Sequence, residues 1–208
     1  EALRALDKAI ENDRRCARAY LEKGEALARL NRHLEAVVAF DKVLEIKPDH
    51  ARAYYQKGVA LAEKDRYDEA ITAFDSALAL DPENAQAYFY LGVSLAGSER
   101  YAEAIRAFER TLSLSPDNAP AYHYKGIAHI QCGQYEEAVS AFDHALSLDP
   151  ENAMAYYYKG IAFLQAKRYD ESIAALTTAS GMDASLSDAS MYMGIALYQL
   201  QRFEEAIH

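Results

Sequence analysis

His123, His129 and Cys132 stand within ten residues of one another and are of the types that hold zinc or form a nucleophilic pair. A closed zinc site takes four ligands, and a Cys–His nucleophile needs an orienting group and an oxyanion hole. On a helix, a separation of six residues turns His123 and His129 to different faces, so the two imidazoles cannot converge. Cys132 falls near a predicted turn. No glycine-rich phosphate loop accompanies them, so these residues read as structural. No enzyme activity, metal or cofactor is expected.

The rest of the chain must then explain its purpose. Its 208 residues are 51% apolar and 26% charged, the balance of a soluble folded protein. A formal charge of −10 repels phosphate backbones and argues against nucleic acid as a partner. No apolar run approaches the ~18 residues of a membrane span. Cys16 and Cys132 are far apart and read as free thiols of a reducing compartment, which makes a cytoplasmic location the expectation. The chain opens on Glu1 without a signal-peptide pattern and reads as an excerpt of a longer protein.

Gly24, Gly58, Gly92, Gly126, Gly160 and Gly194 recur every 34 residues without an insertion. Four residues before them stand Tyr20, Tyr54, Tyr88, Tyr122 and Tyr156, with Ser190 the exception. Phe40, Phe74, Phe108, Phe142 and Leu176 follow at sixteen, and Pro48, Pro82, Pro116 and Pro150 at twenty-four. This pattern resembles the tetratricopeptide repeat family. The resemblance covers the whole chain and implies an all-α fold, a right-handed solenoid of antiparallel helical hairpins. The units are a partial repeat over 1–16, full repeats over 17–50, 51–84, 85–118, 119–152 and 153–186, and a partial one over 187–208. Where the family often has leucine before the glycine, Leu91 keeps it, but Lys23, Lys57, Lys125 and Lys159 replace it, stems packed and ammoniums in water.

One unit shows why hairpins form. Asn84 can cap a helix over AQAYFYLGVSLAG, SERY turns the chain, YAEAIRAFERTLSL forms a second helix, and Pro116 prevents its continuation. The second helices are apolar on one face, as in Tyr67, Ala70, Ile71, Phe74, Ala77 and Leu78. The first helices are apolar on two. Tyr156, Gly160 and Phe163 share one face, assigned to packing; Tyr157, Tyr158, Ile161 and Leu164 share the opposite one.

In a solenoid each repeat contacts only its neighbours, and the first helices line the concave surface, so that second face is the expected ligand groove. Its first part is charged: Arg18, Leu21, Glu22, Glu25 and Arg29, then Arg52, Tyr55, Gln56, Val59 and Glu63. Its later part is aromatic: Phe89, Tyr90 and Val93; His123, Tyr124 and Ile127; Met154, Tyr157, Tyr158 and Ile161; then Met191, Tyr192 and Ile195. Contiguous apolar surface of this kind marks interaction sites, and tyrosine and methionine are enriched there. The expected function is a protein-interaction module or scaffold holding a partner peptide or helix. The alternatives are a structural spacer or self-assembling solenoid, and a regulatory segment of a larger enzyme. Leu3, Leu6 and Ile10 at one end, with Leu197, Leu200, Phe203 and Ile207 at the other, suggest weak self-association through open ends.

Overall fold

In the computed structural model, residues 2–202 are described, and Phe203 and Ile207 lie outside them. The described residues form helices only: α1 Ala2–Asn12, α2 Ala17–Arg29, α3 His33–Ile46, α4 Ala51–Ala62, α5 Tyr67–Leu80, α6 Ala85–Gly97, α7 Tyr101–Leu114, α8 Ala119–Gln131, α9 Tyr135–Leu148, α10 Ala153–Gln165, α11 Tyr169–Met182 and α12 Asp188–Gln199. They divide into two compact units, residues 1–110 and 111–208.

Four of the first helices, α4, α6, α8 and α10, start at a side-chain cap. The Ala87, Ala121 and Ala155 N–H groups donate to the side-chain oxygens of Asn84, Asn118 and Asn152 at 2.9, 2.9 and 3.0 Å. Each such bond satisfies a donor that the helix itself leaves unpaired. His50 does the same through its ring nitrogen for Ala53, at 3.3 Å. The irregular segment after Met182 is built differently: Ser187 precedes α12 without a side-chain cap bond.

Between the helices of a hairpin the chain reverses through one residue in the left-handed region: Asn31, Asp65, Glu99, Gly133 and Lys167, with φ between 55° and 72°; Gln201, which follows α12, has φ 60°. Gly133 is the one for which that conformation costs nothing. Before α3, α5, α7 and α11 an arginine grips a glutamate three residues on, whereas Gln134 precedes α9. Arg66 donates to Glu69 through Nε and Nη2, both at 2.6 Å, and Arg100 to Glu103 at 2.8 and 2.9 Å. Arg32 with Glu35 and Arg168 with Glu171 repeat the motif.

In the first unit, α2 packs on α3, α3 on α4, α4 on α5 and α5 on α6; first helices also touch, α2 with α4 and α4 with α6. In the second unit, α8 to α12 repeat this arrangement, with α8 on α10 and α10 on α12. Within each unit the first helices therefore form one layer and the second helices another. The layers meet at the registered glycines. A Cβ on Gly58 would lie 2.7 Å from the ring of Phe74, and one on Gly126 the same distance from Phe142. Only glycine admits those rings, and Phe40, Phe74, Phe108 and Phe142 are fully buried as a result. Leu3, Leu6 and Ile10 of α1 are half-buried, and Leu197 of α12 is buried.

Candidate functional site

The aromatic residues of the expected groove lie on first helices and form two ring clusters, one in each unit. In the first unit Tyr90 stacks on Phe74, centroids 6.3 Å apart and planes 15° from parallel. Tyr55 meets both rings, at 6.2 Å from Phe74 and 6.1 Å from Tyr90, and donates from its hydroxyl to Gln86 Oε1 at 3.3 Å. Phe89 packs edge-on to Tyr90 at 5.3 Å and tilts over Phe108 at 6.0 Å. Val93 is half-buried. Burial pushes the Tyr55 phenol up to about 12.

The second unit builds the same figure from other residues. Tyr158 stacks on Phe142 at 6.3 Å and 13°, while His123 occupies the place of Tyr55, 5.7 Å from each of those rings. Tyr124 flanks His123 at 5.6 Å. Tyr157 bridges Tyr158, at 5.3 Å, to Tyr192, at 6.0 Å. The Tyr157 phenol is pushed up to about 12, first by burial and then by Tyr192 and Asp188. Burial holds the His123 imidazole below its usual range, and its Nδ1 has no hydrogen-bond partner.

Exposure varies across this face. Tyr124 is 39% exposed, Ile195 43% and Met191 54%, whereas Ile127, Ile161 and Tyr192 are half-buried. Met154, Tyr157 and Tyr158 line one wall of a cleft of about 250 Å³, closed opposite by residues 185–188.

Two assignments need correction. Tyr158, assigned to the groove wall, packs against the cluster of Phe142, Leu146 and Phe163, the same cluster that Tyr156 packs against as assigned. Leu164 is buried and not a wall residue. Helical phase indicates the direction in which a side chain leaves its helix; it is blind to the preceding hairpin, whose Phe142 reaches under Tyr158. The charged part of the expected groove is largely spent on itself: Arg18 pairs with Glu22 at 2.8 Å and Arg52 with Glu25 at 2.7 Å.

His123, His129 and Cys132 have separate surroundings. His129 is buried, its Nδ1 2.7 Å from Gln134 Oε1, and Cys132 is an exposed free thiol. Among the described residues no group of three His, Cys, Asp or Glu side chains could hold a metal ion, and no helix is long and apolar enough to cross a membrane.

The substituted lysines do not end in water. Lys23, Lys57 and Lys159 each reach an aspartate sixteen residues earlier, Asp7, Asp41 and Asp143, at 2.6 Å. A spacing of sixteen was available in the sequence as a signal, but it pairs residues only once two hairpins are stacked.

Comparison with known proteins agrees with this architecture. The chain is similar to the crystal structure of YrrB, described as a TPR protein with an unusual peptide-binding site: 27% identity, TM-score 0.78, covering 95% of this chain and 98% of that one. It also shares its fold with MamA from Desulfovibrio magneticus RS-1 (24% identity, TM-score 0.77, 82% of this chain and 97% of that one). PilF from Pseudomonas aeruginosa has the same fold (20% identity, TM-score 0.74, 91% and 86%). No curated protein matches the chain. Family models described as tetratricopeptide repeat match residues 1–51, 39–85, 55–119, 125–186 and 168–207, and a second one 107–140. With that repeat matched along its length and the hairpins stacked as described, the chain belongs to the tetratricopeptide repeat family.

Proposed function

We propose that this chain is a protein-interaction module whose first-helix aromatic faces hold an apolar or amphipathic segment of a partner protein. The observation that carries this reading is the second unit's face. There Tyr124, Met191 and Ile195 remain exposed beside Tyr157 and Tyr192, on helices whose charged side chains are few. Exposed aromatic and methionine side chains over a rigid apolar floor are what a partner's side chains bury against. The peptide-binding site attributed to the similar YrrB points the same way. The face is preformed, since Phe142 and Tyr158 are already packed beneath it, so little ordering cost falls on binding.

The reading is tested by selecting peptides against the 208-residue chain and measuring the best by calorimetry against Tyr157→Ser and Met191→Ser. Both variants should weaken binding at least about tenfold with unchanged circular dichroism. Selected peptides that bind both variants as well as the parent would overturn the assignment.

A further inference from the structure

Lys23, Lys57 and Leu91 stand in register in the first unit. The first two cross to Asp7 and Asp41, each at 2.6 Å. Leu91 is buried and offers its aspartate, Asp75, only methyl groups. Asp75 has no ion pair or hydrogen bond among the described residues, and burial pushes its carboxyl up, with Arg100 opposing.

The surrounding space differs in the same sense. Three clefts in register lie beside Tyr20, Tyr54 and Tyr88. Those containing Lys23 and Lys57 measure about 200 and 190 Å³. The one containing Leu91 measures about 290 Å³ and is lined also by buried Ile71 and by Asp75, which is exposed to solvent. Its floor is apolar: Ile71, Leu91 and Leu95 are all buried. On its rim, Glu103 is already held by two bonds from Arg100 and approached by Arg106 at 3.9 Å, and Arg110 lies 5.8 Å over the Tyr88 ring. Asp75 is therefore the carboxylate of this cleft that no side chain among the described residues pairs with. No residue of the aromatic faces lines this cleft.

We propose that the cleft is a docking site for a lysine side chain of a partner protein, its stem on Leu91 and its ammonium on Asp75. The chain supplies the precedent itself: Lys57 makes this contact with Asp41 one repeat earlier, from within. A long aliphatic stem ending in a compact cation matches an apolar floor that leads to a carboxylate. Arg106, which lines the cleft and only approaches Glu103, favours an acidic residue beside that lysine.

The test uses the whole chain and acetyl-Glu-Lys-Glu-amide as probe, read from methyl shifts of Ile71 and Leu91 and the side-chain carboxyl shift of Asp75. The peptide should give saturable shifts, and its Nε-acetylated form should bind at least about tenfold more weakly. Leu91→Lys, which fills the cleft from inside as Lys57 does, should abolish the response while retaining the parent's circular dichroism. Asp75→Asn should abolish it too. The proposal is overturned if tens of millimolar peptide give no saturable shift, if the acetylated peptide binds equally, or if either folded variant still responds as the parent does.

Discussion

Tyr158 lies stacked on Phe142, 6.3 Å between centroids and 13° between planes, although the two belong to successive hairpins. Tyr90 and Phe74 repeat the relationship at 6.3 Å and 15°. A fully buried second-helix ring is thus covered from above by the first helix of the next hairpin. The aromatic face has two tiers, a packed one against the phenylalanines and an outer one that includes Tyr157.

The tiers should separate in stability measurements. Tyr158→Ala is expected to lose about 2–3 kcal/mol, since it uncovers Phe142 and removes a stacked pair. Tyr157→Ala, which rests on Tyr158 and Tyr192, is expected to lose about 1 kcal/mol. Urea unfolding of both variants decides; equal losses would contradict the two-tier description.

His123 provides an acid-sensitive point. It is enclosed by Tyr124, Phe142 and Tyr158, with no carboxylate among these ring contacts, and burial lowers its pKa from 6.5. The unfolded chain then binds more protons than the folded one in this window. The stability contribution is complete above pH 6.5 and is lost as pH falls through the lower folded value. His123→Tyr, which installs the residue found in register at Tyr55 and Tyr157, should flatten that dependence between pH 7.5 and pH 5, roughly the window in which histidine changes charge. Unfolding free energies at the two limits measure it.

Two glycines should respond oppositely to one methyl group. A Cβ on Gly126 would meet the Phe142 ring at 2.7 Å, so Gly126→Ala should cost about 1–3 kcal/mol through overpacking. Gly181 lies in α11, where a Cβ would meet nothing within 4 Å among the described residues. Gly181→Ala should gain about 0.5–1 kcal/mol by restricting the unfolded backbone and favouring the helix. Melting temperatures of the pair will show whether the signs differ.

Lys167 holds the left-handed turn position with φ 64°, where Gly133 stands one repeat earlier with φ 72°. A side chain bearing a Cβ costs about 1 kcal/mol there. Lys167→Gly should therefore raise stability by about 0.5–1 kcal/mol, and Gly133→Lys should lower it by a similar amount. Chemical denaturation of both, referenced to the parent, checks the reciprocity.

The amino-acid sequence by itself determined the repeat and its helical hairpins. Helices over 85–97 and 101–114 were legible because Asn84, the SERY turn and Pro116 act on residues within one turn of themselves. The 34-residue recurrence of the glycines was legible as well, but the contact of Gly24, Gly58, Gly92 and Gly126 with the phenylalanine sixteen residues on was not, because the sequence places the glycine on a packed face without naming the ring it meets. What else the tertiary structure decided involves two hairpins at once. Whether Tyr156 or Tyr158 is covered depends on where the previous hairpin places Phe142, and helical phase carries no information about that distance. The same holds for the lysines: Lys57 reads as a surface residue until stacking brings Asp41 within 2.6 Å. Leu91, the residue that conforms to the family, then becomes the one that leaves a carboxylate and a cleft unfilled. Local propensity acts through near neighbours in the chain, whereas burial and pairing depend on neighbours that only the packed repeat supplies.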